Sequence, residues 1–165
     1  MSRLVLLAVV LTVFAVSGCS GSGAARDDAR DVTLAVAGAP GMNAGGNAAA
    51  LQIFQLTDAD PFTLVPVEEF WLGDDAVFAG TLVSRREILL YPREVRAVPL
   101  VLDARTAYVG VAADFRSPSL DGWRAVFPAS RVLAEGLGVL VGDDALAITG
   151  PRVEPVSADS TADGR

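Results

Sequence analysis

The chain has 165 residues, a net charge of −7, one cysteine and no histidine. All 13 of its basic residues are arginines, and apart from the pair Arg85-Arg86 they are scattered, which argues against nucleic acid as a partner. The lack of histidine, together with a single cysteine, excludes most metal sites and activated nucleophiles.

The N-terminus carries the pattern of an export signal. Arg3 precedes an apolar run, Leu4 to Val16, that is shorter than the roughly 20 residues needed to span a bilayer. The run ends in Val16-Ser17-Gly18-Cys19, which is typical of a bacterial lipobox, where the cysteine thiol receives a diacylglyceryl group. We therefore predict a lipoprotein signal peptide over residues 1–18 and lipidation of Cys19. The alternatives are an uncleaved signal anchor, or cleavage elsewhere that leaves a free thiol.

The residues after the cysteine predict a flexible link to a membrane. Residues 19–31 contain no large apolar side chain and are expected to form a lipidated tether. Ser20, rather than an acidic residue, follows Cys19, which favours sorting to the outer membrane. Each buried methylene of an acyl chain contributes about 0.8 kcal/mol, so two or three chains hold firmly. We expect the protein on the periplasmic face of the outer membrane.

Two strands flank a glycine-rich loop at the start of the predicted domain. Val32, Leu34 and Val36 alternate with smaller residues, which indicates a strand. The segment Ala49 to Leu56 has large apolar side chains on both faces, which favours an inner strand. Between them, Gly38 to Asn47 holds four glycines, a proline and two asparagines, and it is long for a hairpin connection.

The rest of the chain predicts short helical turns followed by strands. Thr57 to Pro61 offers helix-capping residues, but Pro66 interrupts any long helix, so we expect one or two helical turns between Phe62 and Phe78. The further predicted strands are Ile88 to Leu90, Arg96 to Leu102, Ala107 to Phe115, Trp123 to Phe127, Gly138 to Val141 and Ala145 to Ile148. This spacing predicts a mainly β fold, an antiparallel β-sandwich over residues 32–153 with a small helical insertion after the second strand. Residues 154–165 are expected to be a disordered tail.

Paired carboxylates are the only candidates for catalysis or cation binding. Asp74-Asp75 and Asp143-Asp144 could serve acid–base chemistry or calcium, as could Glu68-Glu69. Both aspartate pairs adjoin a glycine in turn-like sequence, so we interpret them as solvated turn residues. We predict no catalytic residue, no metal ligand and no cofactor.

Trp123 offers one further candidate interaction. A cation–π pair with Arg116 across the intervening turn is one interpretation, and plain core packing of Trp123 is the favoured one. The charges of Asp114 and Arg116 are expected to face solvent or each other.

Three segments behind the lipobox carry a family resemblance. They are Asn43 to Leu56, the aromatic and acidic segment Phe62 to Leu72, and Tyr108 to Trp123. In this order they resemble the TssJ (SciN) outer-membrane lipoproteins of type VI secretion systems, which include VasD and Lip. The most specific part is Gly-Val-Ala-Ala-Asp-Phe-Arg over residues 110–116, followed by Trp123-Arg124. One departure is Pro92-Arg93, where the family has a Pro-Gly turn.

The resemblance implies a transthyretin-like β-sandwich and a role in assembly. Such a protein binds the periplasmic C-terminal region of TssM, the inner-membrane partner, and helps build the trans-envelope complex. In the family, the loop between the first two strands is a main contact. Its position here implies partner-binding residues Pro40, Gly41, Met42, Asn43, Ala44 and Asn47. Met42 is the one sizeable apolar residue among them and offers an adaptable contact. The alternative for this loop is a mobile connector without a partner.

Two other functions remain open from the residues alone. A lipoprotein β-sandwich could bind a small ligand or a cell-wall glycan, which would require a concave face with exposed aromatic residues. An enzyme is the weakest alternative, since the chain offers no nucleophile with an adjacent base. We therefore expect a non-enzymatic protein.

Overall fold

A computed structural model describes residues 30–150 of the chain. The predicted signal peptide, the lipidation of Cys19 and the disordered tail lie outside these residues, as does most of the tether. In chain order the described elements are β1 Arg30–Gly38, β2 Ala49–Leu56, α1 Asp60–Leu64, α2 Val67–Leu72, β3 Leu82–Leu90, β4 Val95–Leu102, β5 Tyr108–Ala113, β6 Arg124–Pro128, α3 Ala129–Glu135, β7 Leu137–Val141 and β8 Leu146–Thr149. None of the helices in this range is long and apolar enough to cross a membrane.

The strands form two four-stranded sheets, with orders β4-β1-β7-β8 and β3-β2-β5-β6. The predicted mainly β sandwich, with a small helical insertion after the second strand, is confirmed. One pairing departs from the antiparallel expectation, because β1 and β7 run parallel, with Leu34 opposite Leu137. The helix α3, which the sequence did not predict, lies between β6 in one sheet and β7 in the other.

Two strands begin earlier than their apolar residues indicated. β1 starts at Arg30 because Arg30 and Asp31 pair with Leu102 and Val101, so these two residues belong to the sheet and not to the tether. β3 starts at Leu82, six positions before the predicted Ile88. After the partly buried Leu82 and Val83, Ser84 to Glu87 are polar and exposed, so this part of the strand lacks the hydrophobic alternation that predicts a strand.

The core between the sheets consists of aliphatic side chains from alternate strand positions. Leu34 and Val36 of β1 and Ile53 of β2 are at most 2% exposed. One polar side chain joins them: the Gln55 amide donates to Val101 O at 3.0 Å, and its oxygen accepts the Asp103 N–H at 2.9 Å. The same oxygen accepts the buried Thr106 hydroxyl at 2.7 Å. Gln55 of β2 therefore connects one sheet to the end of β4 in the other.

A second apolar cluster lies on the outer face of the β3-β2-β5-β6 sheet. Phe54 alternates with Ile53 and so faces outward, where its ring centroid lies 5.1–5.4 Å from those of Phe62, Phe70 and Phe78. Trp123 extends the cluster, 4.8 Å from Phe70, and is 4% exposed, as expected for a core residue. The helical insertion covers this face of the sheet.

Arg124 fastens the helical insertion to the sheet. Its guanidinium donates to the carbonyl oxygens of Phe62 at 2.8 Å and Val65 at 2.7 Å, and also to that of Thr63. These are carbonyls at the end of α1 that lack partners within the helix. The guanidinium also lies 4.4 Å from the Trp123 ring centroid, so the cation beside this tryptophan is Arg124 and not Arg116.

The close approach of α1 to β5 predicts a sensitive position. A Cβ atom added at Gly110 would lie 2.9 Å from Cζ of Phe62. We expect Gly110→Ala to displace this ring and to lower the free energy of unfolding by about 1–3 kcal/mol, measured by denaturant unfolding. Gly41→Ala is the control, because a Cβ there meets nothing within 4 Å. Equal midpoints for both variants would contradict this account of the packing.

Candidate functional site

Four connections meet at one end of the sandwich, the end at which β1 finishes. We call this end the distal pole, because β1 begins at Arg30 at the opposite end and reaches the pole at Gly38. The connections are residues 39–48 between β1 and β2, 91–94 between β3 and β4, 114–123 between β5 and β6, and 142–145 between β7 and β8. The first of them contains the loop expected to bind a partner.

The β1–β2 loop adopts an unusual backbone conformation. The angle φ is positive at four consecutive residues, from Asn43 to Gly46, with values of 50°, 60°, 89° and 100°. Glycine adopts such angles freely and asparagine tolerates them, but Ala44 pays about 1–2 kcal/mol for its left-handed conformation. A loop with this backbone stays ordered only if tertiary contacts hold it.

Asn43 supplies those contacts from a buried position, with only 3% of its surface exposed. Its side-chain nitrogen donates to Ala48 O at 2.6 Å, and its side-chain oxygen accepts the Arg116 N–H at 2.7 Å. Its backbone N–H donates to Gly142 O at 3.0 Å. One residue thus joins the β1–β2 loop to the β5–β6 and β7–β8 connections.

Further hydrogen bonds complete the join between these connections. Asp143 accepts twice from the loop: its carboxylate from the Gly45 N–H at 3.0 Å, and its backbone carbonyl from the Ala44 N–H at 3.1 Å. The Asn47 side chain donates to the carbonyls of Asn43 and Ala44, at 2.9 Å each. Asp143 is exposed, as expected for a turn, but it also fixes the loop.

Met42 was expected to offer an apolar contact at the surface of the loop, and its side chain lies inside the protein. Its side chain is fully buried, and its sulfur would lie 2.5 Å from a Cβ atom placed on Gly38. Met42 therefore packs beneath the loop and offers no surface to a partner, and the same holds for the Asn43 side chain. Among the expected contact residues, Gly41 and Ala44 are exposed, while Pro40 and Asn47 are partly exposed.

The neighbouring β3–β4 turn supports the start of the loop. The Gly38 N–H donates to Glu94 O at 2.9 Å, and the Arg93 N–H donates to Gly38 O at 2.8 Å. Arg93 has a φ of 64°, in the left-handed region that glycine adopts freely. In the family that the sequence resembles, the Pro-Gly turn implies a glycine at this position. The Glu94 carboxylate accepts the Tyr91 N–H at 3.0 Å and the Arg96 Nε–H at 2.9 Å. The Tyr91 N–H, and after it Arg96, lowers the pKa of Glu94.

The described residues offer little to a small ligand. Across residues 30–150, no group of three or more carboxylates, cysteines or histidines could hold a metal ion. A cavity of about 200 Å³ lies beside α3, away from the distal pole, and its rim carries the Arg131–Glu135 ion pair at 2.9 Å. Trp71 and Trp123 both belong to the aromatic cluster. Neither tryptophan lines this cavity, and Phe127 is the aromatic residue among its lining side chains.

Replacement of Asn43 by alanine tests whether its side chain stabilises the connections of the distal pole. Asn43→Ala leaves the Arg116 N–H without its acceptor and places alanine at a φ of 50°. We expect the free energy of unfolding to fall by about 3 kcal/mol, measured by chemical denaturation. Ala44→Gly, at an exposed left-handed position in the same loop, should keep or raise stability. A loss of stability in Ala44→Gly as large as that in Asn43→Ala would refute the assignment to the side chain.

Acid should selectively remove the contribution of Glu94. Because folding lowers its pKa, the ionised carboxylate stabilises the fold above its ordinary pKa, and this stability is lost as pH falls through the lowered value. We expect Glu94→Gln to lower Tm by a few degrees at neutral pH. The difference from the parent protein should shrink as pH falls below the ordinary pKa of glutamate, and it should vanish below the lowered pKa of Glu94, where both side chains are neutral. A difference that is independent of pH would contradict the electrostatic origin.

Comparison with known proteins agrees with the fold. The chain is similar to the T6SS lipoprotein TssJ1 from Pseudomonas aeruginosa. The match includes 76% of this chain and 99% of TssJ1, at 23% identity and a TM-score of 0.65. A chain of a structure described as a type VI membrane complex is covered to 98% by 73% of this chain, at 22% identity and a TM-score of 0.67. A third similar chain comes from a structure described as the T6SS protein TssM C-terminal domain from EAEC. The match includes 72% of this chain and 99% of that chain, at 23% identity and a TM-score of 0.64.

The family itself follows from the sequence. No curated protein matches the chain. A family model described as "Type VI secretion lipoprotein, VasD, EvfM, TssJ" matches residues 30–144, which is more than half of the sequence and includes all of the distal pole except Ala145. The protein therefore belongs to the type VI secretion lipoprotein family of VasD, EvfM and TssJ.

Proposed function

We propose that this protein is anchored in the outer membrane through a lipid on Cys19 and docks the periplasmic C-terminal region of a TssM-like inner-membrane protein. In this role it helps to assemble the trans-envelope complex of a type VI secretion system. Its family supports the secretion system, and the similar chains in structures described as a type VI membrane complex and a TssM C-terminal domain support the partner. The contact surface is the distal pole.

The observation that carries this proposal is the polarity of β1. The strand begins at Arg30, shortly after Cys19 in the sequence, and runs through nine residues to Gly38 at the pole. Each residue of a strand advances the chain by about 3.3 Å, so β1 separates its two ends by about 27 Å. The predicted tether enters the domain before Arg30, so the distal pole is the end opposite the point of attachment. That orientation suits a partner that arrives from the opposite membrane.

The surface of the β1–β2 loop suits a partner that contacts it through complementary shape. Gly41, Ala44 and Gly45 are exposed and carry almost no side chain. The N–H groups of Ala44 and Gly45 donate to Asp143, and the Asn47 N–H closes the wide turn on Met42 O, so the loop enters a complex already ordered. A pre-ordered loop avoids the entropy loss that would otherwise weaken binding. Pro40 and Asn47 complete the expected contacts at its edges.

A side chain added at Gly41 tests the docking surface without disturbing the fold. Gly41 has a φ of −97° and open space around its Cβ position, so Gly41→Gln should fold normally. We expect it to weaken binding of the partner's periplasmic region at least tenfold, about 1.4 kcal/mol, in titration calorimetry with residues 20–165. Gly150→Gln is the matched control, because Gly150 is also open and lies beside α3, away from the pole.

The controls separate a misplaced site from a wrong function. Saturable binding that neither glycine variant alters would move the contact away from the loop. Absence of saturable binding between the folded parent protein and the partner region would refute the docking function itself.

A further inference from the structure

Leu120 stands out on the distal pole because it is almost wholly exposed. At 94% it is the most exposed of the large apolar side chains in residues 30–150. It follows Ser119 in a turn that ends at Gly122, whose N–H donates to Ser119 O at 3.4 Å. Turn corners usually carry proline, glycine or small polar residues. The sequence Ser-Leu-Asp-Gly places a leucine at such a corner instead.

The turn is fixed, so Leu120 cannot fold back onto the protein. The Ser119 N–H donates to Asp144 O at 2.9 Å, and the Leu146 N–H donates to Gly122 O at 2.7 Å. A Cβ atom on Gly122 would lie 2.2 Å from the Ser119 hydroxyl oxygen and 2.5 Å from Cβ of Ala145. This close packing against the β7–β8 connection holds the turn and keeps the leucine pointing outward.

The same hydrogen bonds make the leucine turn continuous with the β1–β2 loop. The β7–β8 connection binds Ser119 through Asp144 and binds Ala44 through Asp143. Arg116, just before the turn, donates its N–H to Asn43. Leu120 therefore belongs to the same rigid surface as the exposed residues of the loop.

Charge around the leucine is predominantly negative. Asp121 is its neighbour in the turn, and Asp143 and Asp144 lie in the connection bonded to that turn; all three are exposed. Arg116 is the exposed basic residue of the same segment. An apolar side chain on a surface with three exposed carboxylates is complementary to an apolar socket with a basic rim, the arrangement by which interfaces combine a buried centre with charge selection.

We infer that Leu120 is the apolar anchor of the distal pole, which inserts into a socket of the partner whose rim carries lysine or arginine. This inference rests on the proposed docking function and names the side chain that supplies its apolar contact. The β1–β2 loop lacks such a side chain at its surface, because Met42 is buried. Leu120 therefore supplies the apolar contact that was expected of Met42.

The test compares two exposed leucines in the full-length protein, extracted in detergent, by interferometry with the partner's periplasmic C-terminal region. Leu120→Ser should keep the parent Tm and weaken binding at least tenfold, mainly through faster dissociation. Leu64→Ser is the matched control, because Leu64 is 77% exposed but ends α1 on the flank of the sandwich. It should bind as the parent does.

The negative rim has a separate readout. Asp121→Asn combined with Asp144→Asn should slow association by about threefold at low salt and flatten its dependence on ionic strength. An unchanged dependence of the association rate on ionic strength would overturn the inference that the partner's socket has a basic rim.

The outcomes distinguish this inference from the docking function beneath it. Binding that Gly41→Gln weakens and Leu120→Ser leaves unchanged would overturn the anchor while the docking surface stands. Equal losses in Leu120→Ser and Leu64→Ser would also overturn it, since a general loss of apolar surface would then explain both. Absence of binding by the parent protein would overturn the docking function, and the anchor with it.

Discussion

The buried amide of Asn43 is the interaction on which the candidate site depends. It satisfies Ala48 O within its own loop and the Arg116 N–H on another connection, so two segments share one side chain. Among the four consecutive residues with positive φ, Ala44 is the one that is neither glycine nor asparagine, so local preference opposes this backbone there and tertiary contacts must hold it. The loop is therefore a tertiary structure. Its exposed surface owes its shape to a residue that never reaches that surface.

A second constraint shapes the remainder of the domain: β2 carries large apolar side chains on both faces. Ile53 fills the core between the sheets, and Phe54 faces the other way into the aromatic cluster. A strand of this kind requires a cover on each side, and the insertion after β2 provides the outer one. Arg124 secures that cover by binding the free carbonyls at the end of α1. The helical insertion thus covers one face of the sandwich, and the proposed docking surface lies elsewhere, at the distal pole.

The sequence predicted what depends on local pattern and missed what depends on distant partners. Ala49–Leu56 was predicted to the residue, because its apolar pattern and the glycines before it are unambiguous. The start of β3 was missed because polar Ser84 to Glu87 pair at a sheet edge, and α3 because Pro128 and Gly136, which bound it, were not interpreted as helix ends. The loop was placed correctly, but burial of Met42 against Gly38 is a tertiary contact. The bond from Asn43 reaches a residue 73 positions away.

In the proposed docking function, the distal pole divides recognition between two kinds of surface. Gly41, Ala44 and Gly45 can present shape, but the N–H groups of Ala44 and Gly45 already donate to Asp143, and the small side chains bury little apolar area in any complex. Tight association between two proteins generally needs a few large side chains near the centre of the contact. On this pole the fixed turn of Leu120 supplies one, and hydrogen bonds through Asp143 and Asp144 hold both surfaces to the same connection. Loop and leucine can therefore meet a partner together, without rearrangement of either.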